Sequence, residues 1–331
     1  MTSTQPISYF NELMKIIGLD EAASLPIMGS VVSVGNFDGV HLGHSILLNE
    51  VVGRSKAHGL SSIIVTFDPH TRAVLFPDAV QPVLSTFEEK TVLLEPYGID
   101  YLICIPFDRN FAFLSADEFI DRILIHTLKT RQWVMGEGHA FGKNHQGNKN
   151  FSHIGKGKNH IIKVLVDSMF AGTRVISSTD IRGEIANGRV EKAIKKLGHP
   201  YLIVSRRISG LKTGTRLGYQ TLNFTGLSSN KVLPPTGIFA AELEYGKNRW
   251  KGALYFGNCP TFENRETHFE FHAFDFSGNE PGEGEKAGLW LYSMVRSDTA
   301  FSNAGALTEA IRKDIITIKN FFKGQESEQC R

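Results

Sequence analysis

Cysteine is scarce in this chain: three residues, Cys104, Cys259 and Cys330, among 331. An odd number at wide spacing offers neither a disulfide framework nor a zinc-ligand pattern, and predicts a reducing, cytoplasmic setting. Charge of one sign is lacking too. Lys and Arg total 36 against 34 Asp and Glu, and the basic residues form no block. That near-neutral balance excludes a bulk electrostatic nucleic-acid binder, while leaving cations enough for an anionic small molecule. No apolar run approaches the roughly 18 residues of a spanning helix. Met1–Asp20 has neither the basic start nor the apolar centre of a signal peptide. Membrane insertion and export are therefore not expected. No internal repeat is visible. The length exceeds what one ordinary core serves, so two domains are expected.

What the chain does contain is a change of pattern part-way along. Up to about residue 190, short apolar strands alternate with helical stretches. The strands are Val31–Val34, Ser62–Phe67, Tyr101–Ile105, Gln132–Met135 and Ile161–Val166. The helices are His44–His58, Phe87–Tyr97 and one opened by the capping box Ser115-Ala-Asp-Glu118. Such alternation predicts a parallel sheet covered on both faces, with ligands at the carboxyl ends of its strands. Residues 136–158 are rich in Gly, Asn, Lys and His and read as a long loop of lid or binding type. A helix over Arg189–Lys196, stopped by Gly198 with Pro200 just beyond, marks a boundary between domains 1–188 and 189–331. Past it, Tyr201–Ile208, Gly237–Tyr245, Trp250–Phe256, His268–Phe276 and Leu289–Val295 read as strands, the second and third joined through Gly246-Lys-Asn-Arg249. Strands with glycine-rich turns and no helices between them predict a small antiparallel barrel. Leu307, Ile311, Ile315, Ile318 and Phe322 give Ala306–Phe322 one apolar side, which predicts a C-terminal helix.

The chemistry concentrates at Val31-Val-Ser-Val-Gly-Asn-Phe-Asp-Gly-Val-His41-Leu-Gly-His44. A strand that feeds a helix start through a glycine turn makes an anion site, because unpaired N–H groups and the helix dipole favour phosphate there. Gly35 lets the backbone approach a ligand, and Asn36, Phe37 and Asp38 complete the turn. His41 and His44, three apart, set two imidazoles over one spot as donors to phosphate oxygens. A zinc site needs a third protein ligand, and no cysteine lies nearby. A pair of ordinary surface histidines is the other bland alternative. The second strand ends in Thr66-Phe-Asp-Pro-His70, bringing Asp68 and His70 to the same sheet edge, although Asp-Pro is also a common strand exit. Ser177, Ser178 and Thr179 open a later helix, where hydroxyls are usually caps. With Arg182 one turn on, or Arg174 upstream, they also make a clamp for a leaving pyrophosphate.

Four phrases in order, Gly35-Asn-Phe-Asp-Gly-Val-His-Leu-Gly-His44, Val65-Thr-Phe-Asp-Pro-His70, Phe107…Leu114-Ser-Ala-Asp-Glu-Phe119 and Ile176-Ser-Ser-Thr-Asp-Ile-Arg182, resemble the bacterial bifunctional riboflavin kinase/FAD synthetase family. The resemblance covers nearly the whole chain. It implies a nucleotidyltransferase-like, Rossmann-like α/β domain followed by a riboflavin kinase-like antiparallel β-barrel with a C-terminal helix. In the first, FMN phosphate would attack the α-phosphate of ATP to give FAD and pyrophosphate. His41 and His44 match the family's phosphate-binding pair, and Ser178, Thr179 and the nearby arginines its clamp; Asp68 and His70 are flavin-binding candidates. The family's Gly-x-Asp/Asn-Phe-x-Phe-Gly stands here as Gly136-Glu-Gly-His-Ala-Phe-Gly142, with Glu137, His139 and Asn144 the open candidates to compensate.

In the second half, Gly210, Gly214 and Gly218 space a basic, hydroxyl-bearing loop that suits phosphates, or serves as a plain barrel connection; it is not a Walker loop. Tyr219-Gln-Thr-Leu-Asn223 resembles the family's Pro-Thr-Ala-Asn motif, which implies that Thr221 and Asn223 hold Mg²⁺ and ATP phosphates. In Thr267-His-Phe-Glu-Phe-His-Ala-Phe-Asp275, alternation turns Phe269, Phe271 and Ala273 inward and Glu270 outward. The resemblance aligns Glu270 with the kinase's base toward the riboflavin 5′-hydroxyl. Past Asp275, Asn279–Gly284 replaces the usual Tyr-Gly, and Arg296 stands in the flavin-proximal position. The expected ligands are riboflavin, FMN and Mg-ATP, without a prosthetic group, nucleic acid or membrane, and with weak self-association left open. An adenylyltransferase with a merely flavin-binding barrel, and a flavin sensor inactive at both sites, are the alternatives.

Overall fold

The computed structural model describes residues 14–79, 81–138, 140–143, 147–148, 160–209, 221–225, 230–258 and 267–329. They form two compact units that divide between Ser178 and Thr179.

The first unit is built on strands β1 (Lys15–Gly18), β2 (Ser30–Val34), β3 (Ser61–Asp68), β4 (Tyr101–Pro106), β5 (Thr130–Gly136) and β8 (Ile162–Val166). They make one sheet in the order β1-β4-β3-β2-β5-β8, parallel at every pairing. β2 reads Ser-Val-Val-Ser-Val and is buried at all five positions, as a strand covered on both faces requires. β1 escapes a sequence reading because it is short, half exposed and paired only with β4. From β2 the chain steps outward to β3 and β4, then returns to β5 on the other side of β2. The carboxyl end of β2 therefore lies at the switch point of the sheet, the usual ligand crevice.

Helices α1 (Leu19–Ala22), α2 (Leu42–His58), α3 (Thr71–Leu75), α4 (Phe87–Leu94), α5 (Arg109–Ala112) and α6 (Ala116–Glu118) connect these strands. The predicted capping box at Ser115 is formed, and α6 widens to π geometry over Phe119–Thr127. α4 carries a second box, Thr86 with Glu89, and its run ends at Gly98, whose φ of 69° suits only glycine comfortably. The stretch expected as a long lid or binding loop over 136–158 contains a two-stranded ribbon, β6 (Ala140–Phe141) with β7 (Gly147–Asn148). A Cβ at Gly147 would collide with the Phe141 ring, which is why glycine stands there. A hairpin of β9 (Phe170–Ala171) and β10 (Arg174–Val175) precedes α7.

The second unit starts in α7 (Ser178–Ala186) and α8 (Val190–Leu197), the latter stopped by Gly198 at φ 83° as expected. Strands β11 (Tyr201–Ile208), β12 (Leu222–Thr225), β13 (Gly237–Tyr245), β14 (Asn248–Asn258), β15 (Thr267–Ala273) and β16 (Lys286–Ser297) close into an antiparallel barrel in the order β11-β12-β15-β14-β13-β16. β12 is the strand missed from the sequence; its four residues were legible only as a motif. Phe224, Phe239, Phe269 and Phe271 are fully buried in the barrel, each worth roughly 1.5–3 kcal/mol. The strand expected to run to Phe276 ends at Ala273, and Ala273 is half exposed rather than core. The trailing Phe276 instead stacks on Trp250 with ring centroids 4.7 Å apart. The last helix, α9 (Ala304–Gln329), buries Ile318 and Phe322 against Ala240 of the barrel.

Cys104 lies on β4, half buried, and burial followed by the nearby Asp68 carboxylate pushes its thiol up to about 11. At pH 8 about one molecule in a thousand then carries the thiolate, the reactive form. Alkylation at pH 8 followed by peptide mapping should leave Cys104 unmodified over a time that fully labels a free thiol. Labelling at the rate of free cysteine would refute this placement.

Candidate active sites

The turn after β2 is the most constrained backbone of the first unit. Phe37 (φ 46°), Gly39 (φ 78°) and Val40 (φ 40°) all take positive φ. For a β-branched residue such as Val40 this is an outlier that costs about 1–3 kcal/mol. Phe37 and Val40 are buried, so packing opposes that strain. Polar side chains hold the rest. Asp38 Oδ1 accepts the N–H groups of Leu84 (2.8 Å) and Ser85 (3.0 Å), and the Gly39 N–H donates to Ser85 Oγ at 2.9 Å. The Asn36 amide bonds Thr71 twice, from Nδ2 to its hydroxyl (2.9 Å) and from its N–H to Oδ1 (3.2 Å). Asn36, Phe37 and Asp38, read from sequence as part of the phosphate turn, thus act on its shape.

The turn delivers the chain to α2 with His41 as its N-cap. His41 and His44 stack with centroids 3.6 Å apart and planes 17° off parallel. Gly43 makes this possible, because a Cβ there would crowd the His41 ring at 3.1 Å. His41 is buried, His44 is partly exposed, and the edge of Phe37 meets His44 at 5.2 Å. Burial, then His41, then Lys90 hold the His44 imidazole well below its ordinary range. Stacking disfavours charge on both rings at once, and burial makes His44 the neutral partner at pH 7. The buried His44 Nδ1 meets no hydrogen-bond partner among the described residues. We assign its proton to Nε2, because an unpaired lone pair is less costly there than an unpaired N–H.

The Ser178 hydroxyl donates to the Asp38 carbonyl at 3.0 Å. Thr179 is exposed on α7 and Arg182 is half buried one turn on. Arg174 is exposed on β10. Asp68 is exposed at the end of β3, and His70 caps α3, its Nδ1 accepting the Arg72 N–H at 3.2 Å. Gly138 is exposed with open space where a side chain would stand; Glu137 is also exposed, and His139 and Asn144 lie outside the described residues.

Beside the turn, sequence reasoning missed an aromatic cavity. It encloses about 400 Å³ and reaches from Val34 and Thr71 to the rings of Phe67, Phe107, Phe111 and Phe119. Phe67, Phe107 and Phe111 pack at centroid distances of 5.3–6.0 Å. The signal was there in Phe67 near the end of β3 and the three phenylalanines that follow β4, but periodicity cannot tell a cavity wall from a core.

On the barrel, register joins the second set. Asn223 on β12 stands opposite Glu270 on β15, Glu270 opposite Tyr255 on β14, Tyr255 opposite Ile238 on β13, and Ile238 opposite Arg296 on β16. Directly paired residues share a face, so these five form one row on the outer surface, while Leu222, Phe269 and Phe271 point inside. Leu222, larger than the family's alanine, is accommodated: it is buried opposite Phe271. Asn223 is buried, and Thr221 half buried at the strand's start. Glu270 lies 3.1 Å from His268 Nε2, and burial raises its carboxyl above the usual value while lowering His268. Arg296 forms a fork with Asp314 of α9 at 2.8–3.1 Å. It is three strands from Glu270, about 14 Å along the surface. Tyr255, not singled out in the sequence, stands between them and donates to Asp298 at 3.1 Å. Gly210, Gly214 and Gly218 lie outside the described residues.

Both units match known families. The FAD synthetase family matches residues 26–180 and the riboflavin kinase family residues 197–322. Among relatives, a bifunctional riboflavin kinase/FMN adenylyltransferase of Buchnera aphidicola is 33% identical, covering 88% of this chain and 94% of the relative. The one of Escherichia coli K12 is 30% identical over 93% and 98%, and that of Bacillus subtilis 33% over 86% and 90%. A crystal structure from Streptococcus pneumoniae, described as a macrolide-efflux protein, has a TM-score of 0.77 at 25% identity, covering 91% of this chain and 97% of that one. Among the described residues of this chain no helix is long and apolar enough to cross a membrane. A parallel sheet with its histidine-bearing turn and a barrel with its glutamate row, matched over most of their length by relatives of one kind, place the chain in the bifunctional riboflavin kinase/FMN adenylyltransferase family.

Proposed function

We propose that the chain makes FAD from riboflavin in two ATP-dependent steps, each on its own unit. The observation that carries this reading is the stacked His41–His44 pair at the start of α2, on the same sheet edge as the aromatic cavity. A triphosphate suits the pair and the free N–H groups of the helix start. A flat tricyclic flavin suits the cavity. An FMN phosphate oxygen then attacks the α-phosphorus of ATP, the bond to the β-phosphate breaks and pyrophosphate leaves. The protein's part is positioning and stabilisation of charge on the phosphoryl oxygens. His41 and His44 donate to those oxygens, Arg174 takes the departing pyrophosphate, and Ser178 holds the turn. Asp68 and His70 border the flavin side.

In the barrel, Glu270 takes the proton of the riboflavin 5′-hydroxyl while that oxygen attacks the γ-phosphorus of ATP, releasing ADP. Thr221 and Asn223 offer neutral oxygen ligands, which with nucleotide phosphates suit Mg²⁺. Among the described residues no three acidic, histidine or cysteine side chains gather as a protein cage, so the ion would arrive with its nucleotide and neutralise phosphate charge there. The row from Glu270 to Arg296 has the length that a ribityl chain plus ring can bridge, which puts the ring toward Arg296. Gly210, Gly214 and Gly218 would border the kinase ATP. A cytoplasmic location fits the need for ATP at both steps.

Glu270→Gln should lower FMN formation by about a hundredfold or more, with FAD synthesis from supplied FMN within twofold of wild type. Equal loss of both would refute separate sites. The raised Glu270 carboxyl loses its basic form as pH falls through a value higher than an unburied glutamate's. Riboflavin phosphorylation should therefore lose kcat/KM on the acid side before FAD synthesis does; coincident acid limbs would count against Glu270 as base. Phe107→Ala should raise KM for FMN roughly tenfold, about 1.4 kcal/mol, without altering riboflavin phosphorylation. An unchanged KM would remove the flavin from the aromatic cavity.

A further inference from the structure

We infer that Lys90 is a positioning residue for adenylyl transfer, a buried cation that holds the phosphate turn in its working shape through Thr66 and sets a fixed positive charge beside it. The inference rests on the reading of the first unit given above. Lys90 lies on α4, whose capping box at Thr86 and Glu89 sets the helix so that Lys90 is buried along with Leu93 and Leu94. Its exposure is 5%, a costly place for an ammonium that a methionine would fill without penalty. The ammonium donates to Thr66 Oγ1 at 2.8 Å, and the Thr66 hydroxyl donates in turn to the Asn36 carbonyl at 3.2 Å. One chain of bonds thus runs from α4 through β3 to the residue that opens the turn.

The groups that face this ammonium come from every element around it. Asp38 belongs to the turn, Asp68 to the end of β3, Cys104 to β4 and His44 to α2. Burial lowers the affinity of Lys90 for its proton, while Asp38, Cys104 and Asp68 oppose that loss. Its charge in turn discourages protonation of His44. A triphosphate adds several negative charges close by, so a preset cation in a low-dielectric setting needs no reorganisation when the nucleotide binds or when charge shifts in the transition state. The same charge helps keep His44 a neutral donor.

The test uses the full chain with Lys90→Met, and with Lys90→Gln, which keeps a donor to Thr66 without the charge. FAD formation from FMN and ATP is followed with kcat and KM separated, folding by thermal unfolding, and His44 by the titration of its ring C–H resonances. Lys90→Met should lower kcat at least tenfold with KM for FMN within twofold, and His44 should protonate at higher pH than in wild type. Lys90→Gln should recover part of the lost kcat while its His44 titration stays raised. FAD formation within twofold of wild type in both variants, or a His44 titration unmoved by loss of the charge, would overturn the assignment. Should Lys90→Met not fold, Lys90→Gln decides by the same two readouts. A wild-type chain that forms no FAD sinks the reading of the site itself, and the His44 titration then still reports whether the lysine charge reaches the pair.

Discussion

The first unit depends on one stretch of backbone, the positive-φ turn at residues 37–40. Left alone it would relax, since Val40 and Phe37 both favour negative φ. It persists because every neighbour over-determines it. Asp38 is gripped by two backbone N–H groups, Asn36 by Thr71, and the Asp38 carbonyl by Ser178. These ties fix the direction in which α2 leaves the sheet, and that direction sets His41 and His44 face to face. The strain is local, but what it positions is the whole chemistry of this edge.

The sequence revealed most of this because the constraints were local. A buried parallel strand, a glycine turn and a His-x-x-His step each leave a mark within a few residues. The roles inside the turn were less legible. Asn36 and Asp38 look like ligand groups when read as letters, yet their partners lie 35 and 46–47 residues away. Lys90 and the aromatic cavity were invisible for the same reason. A lysine in an amphipathic helix reads as a solvated face, and phenylalanines after a strand read as core. The bond of Lys90 to Thr66 on β3, and the rings gathered from β3 and the segments after β4, show otherwise.

On the barrel the limit was different. Glu270 was found by resemblance, and its outward direction by alternation, but no sequence pattern gives strand register. The pairing of β12 with β15 turns Asn223 and Glu270 into neighbours across 47 positions of chain. It also adds Tyr255 to the row. Ala273, expected inside, sits at the end of β15 where the pleat has given way to a turn, so alternation no longer applies.

The two units use burial in opposite senses toward one end. Beside the turn, desolvation holds the His44 imidazole uncharged, so that it meets phosphate as a hydrogen-bond donor. On the barrel, desolvation raises a carboxyl and thereby makes its anion a stronger base. The His268–Glu270 contact at 3.1 Å could be taken for an ion pair, but burial lowers His268, and a neutral imidazole is the consistent reading. That neutrality matters. A protonated His268 would pull Glu270 down toward ordinary acidity and blunt it as a base, whereas a neutral one orients the carboxylate by hydrogen bonding with little electrostatic penalty. Burying both partners together is thus what lets the glutamate be positioned without being weakened.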